Sequence, residues 1–353
     1  MIMSRIVFAT DLHLADGHEG LEAFAGDLQE ICALAPDLLV VGGDICLWDE
    51  GIGDRFQALL RDLPFDTTYL MGNHDTDRSG HGEEFDHDFV SRFGSRNSCV
   101  QFADIQMVCL NTCGLQPPFD DGTKVRAAVG DGDLAWLDAT LAGLDRALPL
   151  LLFVHIPLAT TCPERRGADR ETTDVWRVTN AGAIHQRLTN WPAPVVVAQG
   201  HLHENEHLHR DGIHYITVGS VCGRWWDHGT ASRCTDGSPR GWLLVDVEEG
   251  DVCLNYQVAG IGAHWRGEIV PGGDDGGPRL SLFFSDPAEP VEVQINGEWI
   301  TLPPPRPFAV DDEFFSTHHW ALPPGFTNDS LQVRTRLRRQ RWEATVAWRP
   351  TAC

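Results

Sequence analysis

Five short runs of aliphatic and β-branched residues constrain the fold of this 353-residue chain more than any other feature of it. They are RIVFAT (5–10), DLLVVGGD (37–44), TTYLMGN (67–73), LLLFVH (150–155) and VVVAQGH (195–201). Each is apolar without interruption, the pattern of strands covered on both faces. Between them lie segments with helical spacing of apolar residues, around 19–34, 54–61, 84–93 and 131–143. The last, DGDLAWLDATLAGL, opens with Asp131 or Asp133 placed to cap it. Strand–helix alternation of this kind predicts an α/β architecture over the first 260 residues or so.

After residue 204 the helical signals fade. Residues 213–220, 241–248 and 251–258 read as consecutive antiparallel strands. VPGGDDGGP (270–278) is too rich in glycine, proline and aspartate to pack as either element, and it reads as a linker. Two domains are therefore expected, 1–270 and 279–353. In the second, VEVQINGEWITL (291–302) is a hairpin with Asn296 and Gly297 in a type I′ turn, and 331–348 forms two more strands. Arg334, Arg336 and Arg338 share one face there, as charges protecting a sheet edge do. The tail is a small all-β domain on this reading.

Every strand of the first domain ends in residues able to hold a metal. Asp11 and His13 follow the first, Asp44 the second, Asn73, His74 and Asp75 the third, His155 the fourth, His201 and His203 the fifth. Ligands of open α/β sheets gather beyond the carboxyl ends of the strands, so these residues converge on one crevice. Residues i and i+2 of an extended segment point to the same side, which lets Asp11 and His13 share one ion, and likewise His201 and His203. Carboxylate, imidazole and amide donors without thiolate suit Mn, Fe or Zn. Asp11, His13, Asp44, Asn73, His155, His201 and His203 are too many for one ion, and two ions sharing a bridging carboxylate fit better. The run QGHLHENEHLHR (199–210) also carries His207 and His209, which with His214 read as one face of a hairpin strand. His81 and His87 read as surface residues.

The blocks DLH, GGD, GNHD, a lone histidine and GHLH, in this order over 11–203, resemble the signature blocks of calcineurin-like metallophosphoesterases. Leu47 stands where many members carry a further acidic residue, with Asp49 two positions on. The resemblance implies a four-layer α/β/β/α sandwich and two divalent or trivalent ions. It assigns Asp11, His13 and His203 to one ion, Asn73, His155 and His201 to the other, and Asp44 to both. His74 would face the substrate without ligating, with Asp75 behind it. A further block, TVGSVCGRWWDHG…DGSPRGWLLVDV (217–247), resembles a narrower branch whose members carry a C-terminal β domain. Many members of that branch also have an extra N-terminal domain and an export signal, and neither is expected from this sequence.

Charge narrows the expected chemistry. The net charge of −24 argues against a nucleic-acid surface, where a basic footprint is expected, and against docking on anionic lipid. Lys124 is the only lysine. No apolar stretch reaches the length needed to cross a bilayer, and no signal peptide is apparent at MIMSRIVFATDLH. The ten cysteines form no C-x-x-C pair, which suits reduced thiols in a cytoplasmic protein. Two divalent ions outweigh the charge of Asp11, Asp44 and a bridging hydroxide, so the site attracts a phosphate ester. The expected reaction is hydrolysis of a small-molecule phosphate diester or monoester by in-line attack of the metal-bridging hydroxide, the diester favoured. Alternatives are a nuclease of the same fold and a catalytically silent binding scaffold. Trp225, Trp226 and Arg224 are candidate cleft residues, Arg165 and Arg166 candidate phosphate-side contacts, and the β tail a candidate dimerisation module.

Overall fold

The computed structural model describes residues 3–14, 19–46, 51–76, 86–115, 127–167, 176–224, 226–229, 231–272, 277–337 and 340–349. In chain order come β1 (Met3–Ala9), β2 (Leu38–Val41), β3 (Asp66–Tyr69), β4 (Ser98–Gln101), β5 (Gln106–Cys109), β6 (Gly114–Leu115) and β7 (Ala127–Ala128). They are followed by β8 (Leu150–Val154), β9 (Val195–Gln199), β10 (Glu206–Arg210), β11 (Ile213–Thr217), β12 (Gly241–Glu248) and β13 (Asp251–Val258). Among the described residues six α-helices interleave: α1 (Glu19–Ala33), α2 (Ile52–Leu60), α3 (His87–Phe93), α4 (Asp131–Ala142), α5 (Cys162–Arg165) and α6 (Ala181–Leu188). None of the helices described is long and apolar enough to cross a membrane.

Two sheets form the centre, one in the order β13-β12-β1-β2-β3 and the other β10-β11-β9-β8-β5-β4. The side-chain period of two decides the layering. Ile6 and Phe8 of β1, with Leu38 and Val40 of β2, meet Leu151, Phe153, Val196 and Ala198 of the second sheet. The rings of Phe8 and Phe153 lie 5.2 Å apart across that seam. The intervening residues, Val7, Ala9, Leu39 and Val41, point the other way, into the core with Phe24, Leu28 and Ile31 of α1 and Phe56 of α2. Leu152, Val154 and Val197 likewise share that outer core with Leu137 of α4 and Ile184 and Leu188 of α6. Strands buried on both faces explain the uninterrupted apolar runs, and the result is the four-layer α/β/β/α sandwich.

Three local expectations are corrected. Helix α4 is capped by Gly130, because Asp133 turns inward to accept from Asn97 Nδ2 at 2.6 Å and Arg96 Nε at 3.2 Å. The segment expected as a linker is bordered by strands that pair with each other: β14 (Gly267–Val270) runs antiparallel to β15 (Arg279–Leu282), and residues 273–276 lie outside the described residues. Both strands share a sheet with the strand His319–Ala321 of the C-terminal unit. Within it, the strand Ser330–Leu337 is flanked by Val291–Ile295 and Gln340–Ala347, so it is internal, not an edge. Arg334 there pairs with Glu292 at 2.7 Å and lies over the Trp299 ring; Arg338 falls outside the described residues. The Asn296–Gly297 turn has both residues at positive φ (52° and 86°), as type I′ requires.

The C-terminal unit has its own core, with Ile269, Leu280, Val293, Trp320 and Val333. Phe283 and Phe284, just past β15, enter the seam between the two large sheets. A buried His318–Asp236 pair at 2.9 Å adds a polar tie between the units.

Candidate metal centre

The loops leaving β1, β2, β3, β8 and β9 bring the strand-end residues together. The first two run side by side, with Asp11 N–H donating to Gly43 O at 3.0 Å and His13 N–H to Asp44 O at 2.8 Å. Asp11, His13, Asp44, His201 and His203 all have positive φ, between 44° and 73°. Left-handed backbone at five non-glycine residues costs on the order of 1 kcal/mol each, and it persists only where surrounding bonds over-determine it. Close approach explains the glycines of two blocks. A Cβ on Gly72 would lie 2.0 Å from Asp44 N, and one on Gly200 2.2 Å from Thr10 Oγ1, so a side chain at either would push the loops apart.

All seven residues expected as ligands converge. Asp44 Oδ2 lies 3.5 Å from His13 Nε2 and 3.3 Å from His155 Nε2. On one side of it, Asp11 Oδ1 is 3.2 Å from His203 Nε2, and His203 Nε2 is 3.1 Å from His13 Nε2. On the other, Asn73 Oδ1 is 3.3 Å from His155 Nε2, and the His155 and His201 rings are 5.4 Å apart. The amide of His201 donates to Asp11 Oδ2 at 3.0 Å. Ligand atoms of Asp44, His155 and His201 fall within 4.8 Å of one another, as do those of His13, Asp44 and His74.

The chemistry of this donor set fits bound cations. His155 Nδ1 meets Gly42 O at 2.9 Å, and His203 Nδ1 meets Gly223 O at 2.7 Å. A carbonyl only accepts, so each Nδ1 carries a proton and each Nε2 points to the carboxylates, the orientation of metal-binding histidines. Burial lowers His155, but the charges of Asp44 and Asp11 outweigh it and lift the imidazole to about 9. The cluster therefore stabilises positive charge at these atoms.

Other expected site residues fall in different places. His74, partly exposed, donates its backbone N–H to Asp44 Oδ1 at 2.7 Å, and its ring stands edge-on to His13 (4.9 Å) and Trp226 (5.8 Å). Trp226 is 50% exposed and also meets the His13 ring at 5.3 Å. Asp75, expected behind His74, accepts from the backbone N–H groups of Ile45 and Gly72, each at 2.8 Å. It ties the GGD turn to the GNHD turn. Trp225, Leu47, Asp49 and His81 lie outside the described residues.

The three arginines expected on the substrate side each meet an acidic partner. Arg165 is buried against Glu204 and also donates to the Phe315 carbonyl, so its charge is already matched inside the protein. Arg166 pairs with Glu313 at 2.5 Å and stacks between Trp176 and Phe314. Arg224 pairs with Asp311 at 2.6 Å and covers Phe314 as well. The segment 311–315 of the C-terminal unit thus holds two loops that border the centre.

Two residues beside the centre escaped the sequence reading. Cys222 Sγ lies 3.9 Å from His203 Nδ1, and the Trp176 ring lies 6.5 Å from that of His201. Neither sits at a strand end, the signal that exposed the rest.

Comparison with known proteins bears on the family and the fold. The profile of the family described as calcineurin-like phosphoesterase matches residues 4–205. The chain is similar to a 3′,5′-cyclic-nucleotide phosphodiesterase of Nostoc sp. (strain PCC 7120), 24% identical over 255 residues, 68% of this chain and 87% of that protein. Among solved structures, a dimetal phosphatase from Danio rerio matches with a TM-score of 0.51 at 14% identity, covering 72% of this chain and 95% of that one. At that identity the likeness concerns fold alone.

Proposed function

This chain belongs to the calcineurin-like phosphoesterase family, and from that premise we propose that it is a phosphodiesterase for a small-molecule phosphate diester. The observation that carries the proposal is the Asp44 carboxylate, whose Oδ2 stands within 3.5 Å of imidazole Nε2 atoms on both sides. Asp11, His13 and His203 would hold one ion, Asn73, His155 and His201 a second, and Asp44 both. A bound pair of divalent ions supplies Lewis acidity toward phosphoryl oxygens and lowers the pKa of water. The diester preference rests on the phosphodiesterase relative and on Trp226, an exposed aromatic face beside His13 and His74 that suits a flat leaving or retained group. Turnover of bis-p-nitrophenyl phosphate against p-nitrophenyl phosphate by manganese-loaded protein tests it. A faster diester supports the reading, and monoester preference sinks it.

His74 would donate a proton to the departing alkoxide from the mouth of the site. His74→Ala is expected to retain its metals and to slow hydrolysis about 100-fold for alkyl esters, less for nitrophenyl esters, whose leaving groups need no proton. Metal analysis beside the kinetics decides the role, since His74 lies within ligand range of His13 and Asp44. A His74→Ala chain that loses an ion identifies a ligand instead.

Trp226→Ala removes the aromatic face and leaves the strand-end residues alone. The expected result is a rise of about tenfold in KM for aryl or cyclic-nucleotide diesters, with kcat within about twofold. An unchanged KM would place the substrate elsewhere.

A further inference from the structure

The second half of the histidine run is gathered as closely as the first, but at another place. His207 and His209 project from the same face of β10, and His214 of β11 stands in register opposite His209. Three imidazoles therefore share one patch of sheet. Asp286, just beyond β15, reaches this patch from the C-terminal unit.

We propose that His207, His214 and Asp286 hold a further metal ion of zinc type, a site separate from the strand-end centre. His207 Nδ1 and His214 Nε2 are 3.0 Å apart, and Asp286 Oδ2 is 3.9 Å from His214 Nε2. One ligand atom from each of the three residues falls within 4.8 Å of the others. Tetrahedral zinc with bonds of about 2.0–2.1 Å sets its ligand atoms about 3.3 Å apart, so the observed separations bracket what the ion needs. Two imidazoles and one carboxylate form a set that zinc accepts readily. His209 Nε2 meets the same oxygen, Asp286 Oδ2, at 2.6 Å, and its ring stacks on His214 at 4.1 Å. A ligating carboxylate is commonly steadied by such a neighbour.

The surroundings suit a structural ion. His207 and His214 are buried, and Phe284 stands edge-on to His207 at 4.4 Å. Two ligands belong to the sandwich and one to the C-terminal unit, so the ion would clamp the free edge of the second sheet to that unit. It would act on stability and leave the chemistry at the strand ends unchanged.

Zinc alone is the probe. Wild type, His214→Gln and Asp286→Asn are each saturated with zinc, freed of excess by gel filtration, and assayed for zinc per chain and for bis-p-nitrophenyl phosphate turnover. Each variant is expected to hold about one zinc fewer than wild type, with turnover within about twofold. Zinc content equal to wild type in both variants overturns the proposal. The readout is a difference of one ion, so it holds whether the strand-end centre takes two ions, one or none. Anomalous diffraction at the zinc edge from wild-type crystals requires no variant to fold. A peak among His207 Nδ1, His214 Nε2 and the Asp286 carboxylate supports the site, and its absence overturns it.

Discussion

Manganese-loaded Asp44→Asn is expected to hydrolyse bis-p-nitrophenyl phosphate at least about 1000-fold more slowly than wild type, equivalent to about 4 kcal/mol of lost transition-state stabilisation. Asparagine keeps the size of the side chain and an oxygen to accept the His74 N–H, now bonded to Asp44 Oδ1 at 2.7 Å. What it removes is the negative charge that His13 and His155 both face through Oδ2. Burial raises the cost of that carboxylate, yet the surrounding imidazoles hold it well below the ordinary carboxylate range, so it stays anionic. Without the charge, two cations at close range repel each other with nothing between them. Metal analysis should therefore show about one ion lost from this centre. Turnover within tenfold of wild type, with both ions retained, would sink the assignment of Asp44 as the shared ligand.

That centre was legible in the sequence because each contribution is local. A buried strand announces itself by composition, and the residue after its end is fixed by chain direction. Asp11, Asp44, Asn73, His155 and His201 could thus be brought to one place without a folded model of the loops. The glycines before Asp44, Asn73 and His201 mark loops packed too closely for a side chain. The arginines were illegible for the opposite reason. Arg165 finds Glu204 39 residues away and Phe315 150 residues away, and Arg224 finds Asp311 87 residues away. A loop with two arginines reads equally well as a phosphate clamp or as half of an ion pair until its partner is known. The same distance hid the join of His214 to Asp286. Strands β4 and β5 were missed because SCVQ and QMVC are short and mixed in polarity, and pairing, more than propensity, makes them strands.

The arginines also change what the C-terminal unit does for the centre. Phe314 lies under both Arg166 and Arg224, and these belong to the loops after α5 and after Gly223. Gly223 supplies the carbonyl that orients His203. The Trp176 ring beneath Arg166 neighbours His201. Displacement of 311–315 would therefore reach His203 through Arg224 and Gly223, and His201 through Arg166 and Trp176. A chain cut at 270 removes Asp311, Glu313 and Phe314 and also strips β14 of its partner β15.

Arg165→Ala is expected to destabilise the protein by about 3–5 kcal/mol at pH 8, measured by urea unfolding. The Arg165 side chain is only 4% exposed, and Glu204 and Glu206 beside it are 3% and 1% exposed. Glu206 is further held by Thr160 Oγ1 at 2.7 Å, which fixes it in place but brings no positive charge. Removing the guanidinium leaves two carboxylates buried together, a larger loss than that of one exposed ion pair. The pH dependence separates this cause from lost packing. Burial pushes Glu204 up to about 7 even with Arg165 opposing it, so its folded-state pKa stands above the unfolded value. An acid shifted upward favours the folded state when protonated, and its penalty grows as pH rises from the unfolded pKa to the folded one. Loss of Arg165 raises that folded pKa further. The difference between Arg165→Ala and wild type should then shrink on going from pH 8 to pH 5, where the carboxyl can be buried neutral. Arg165→Met, which restores most of the volume, should show the same pH trend. A loss that is equal at both pH values, and largely recovered by methionine, would mean that packing and not charge holds this loop.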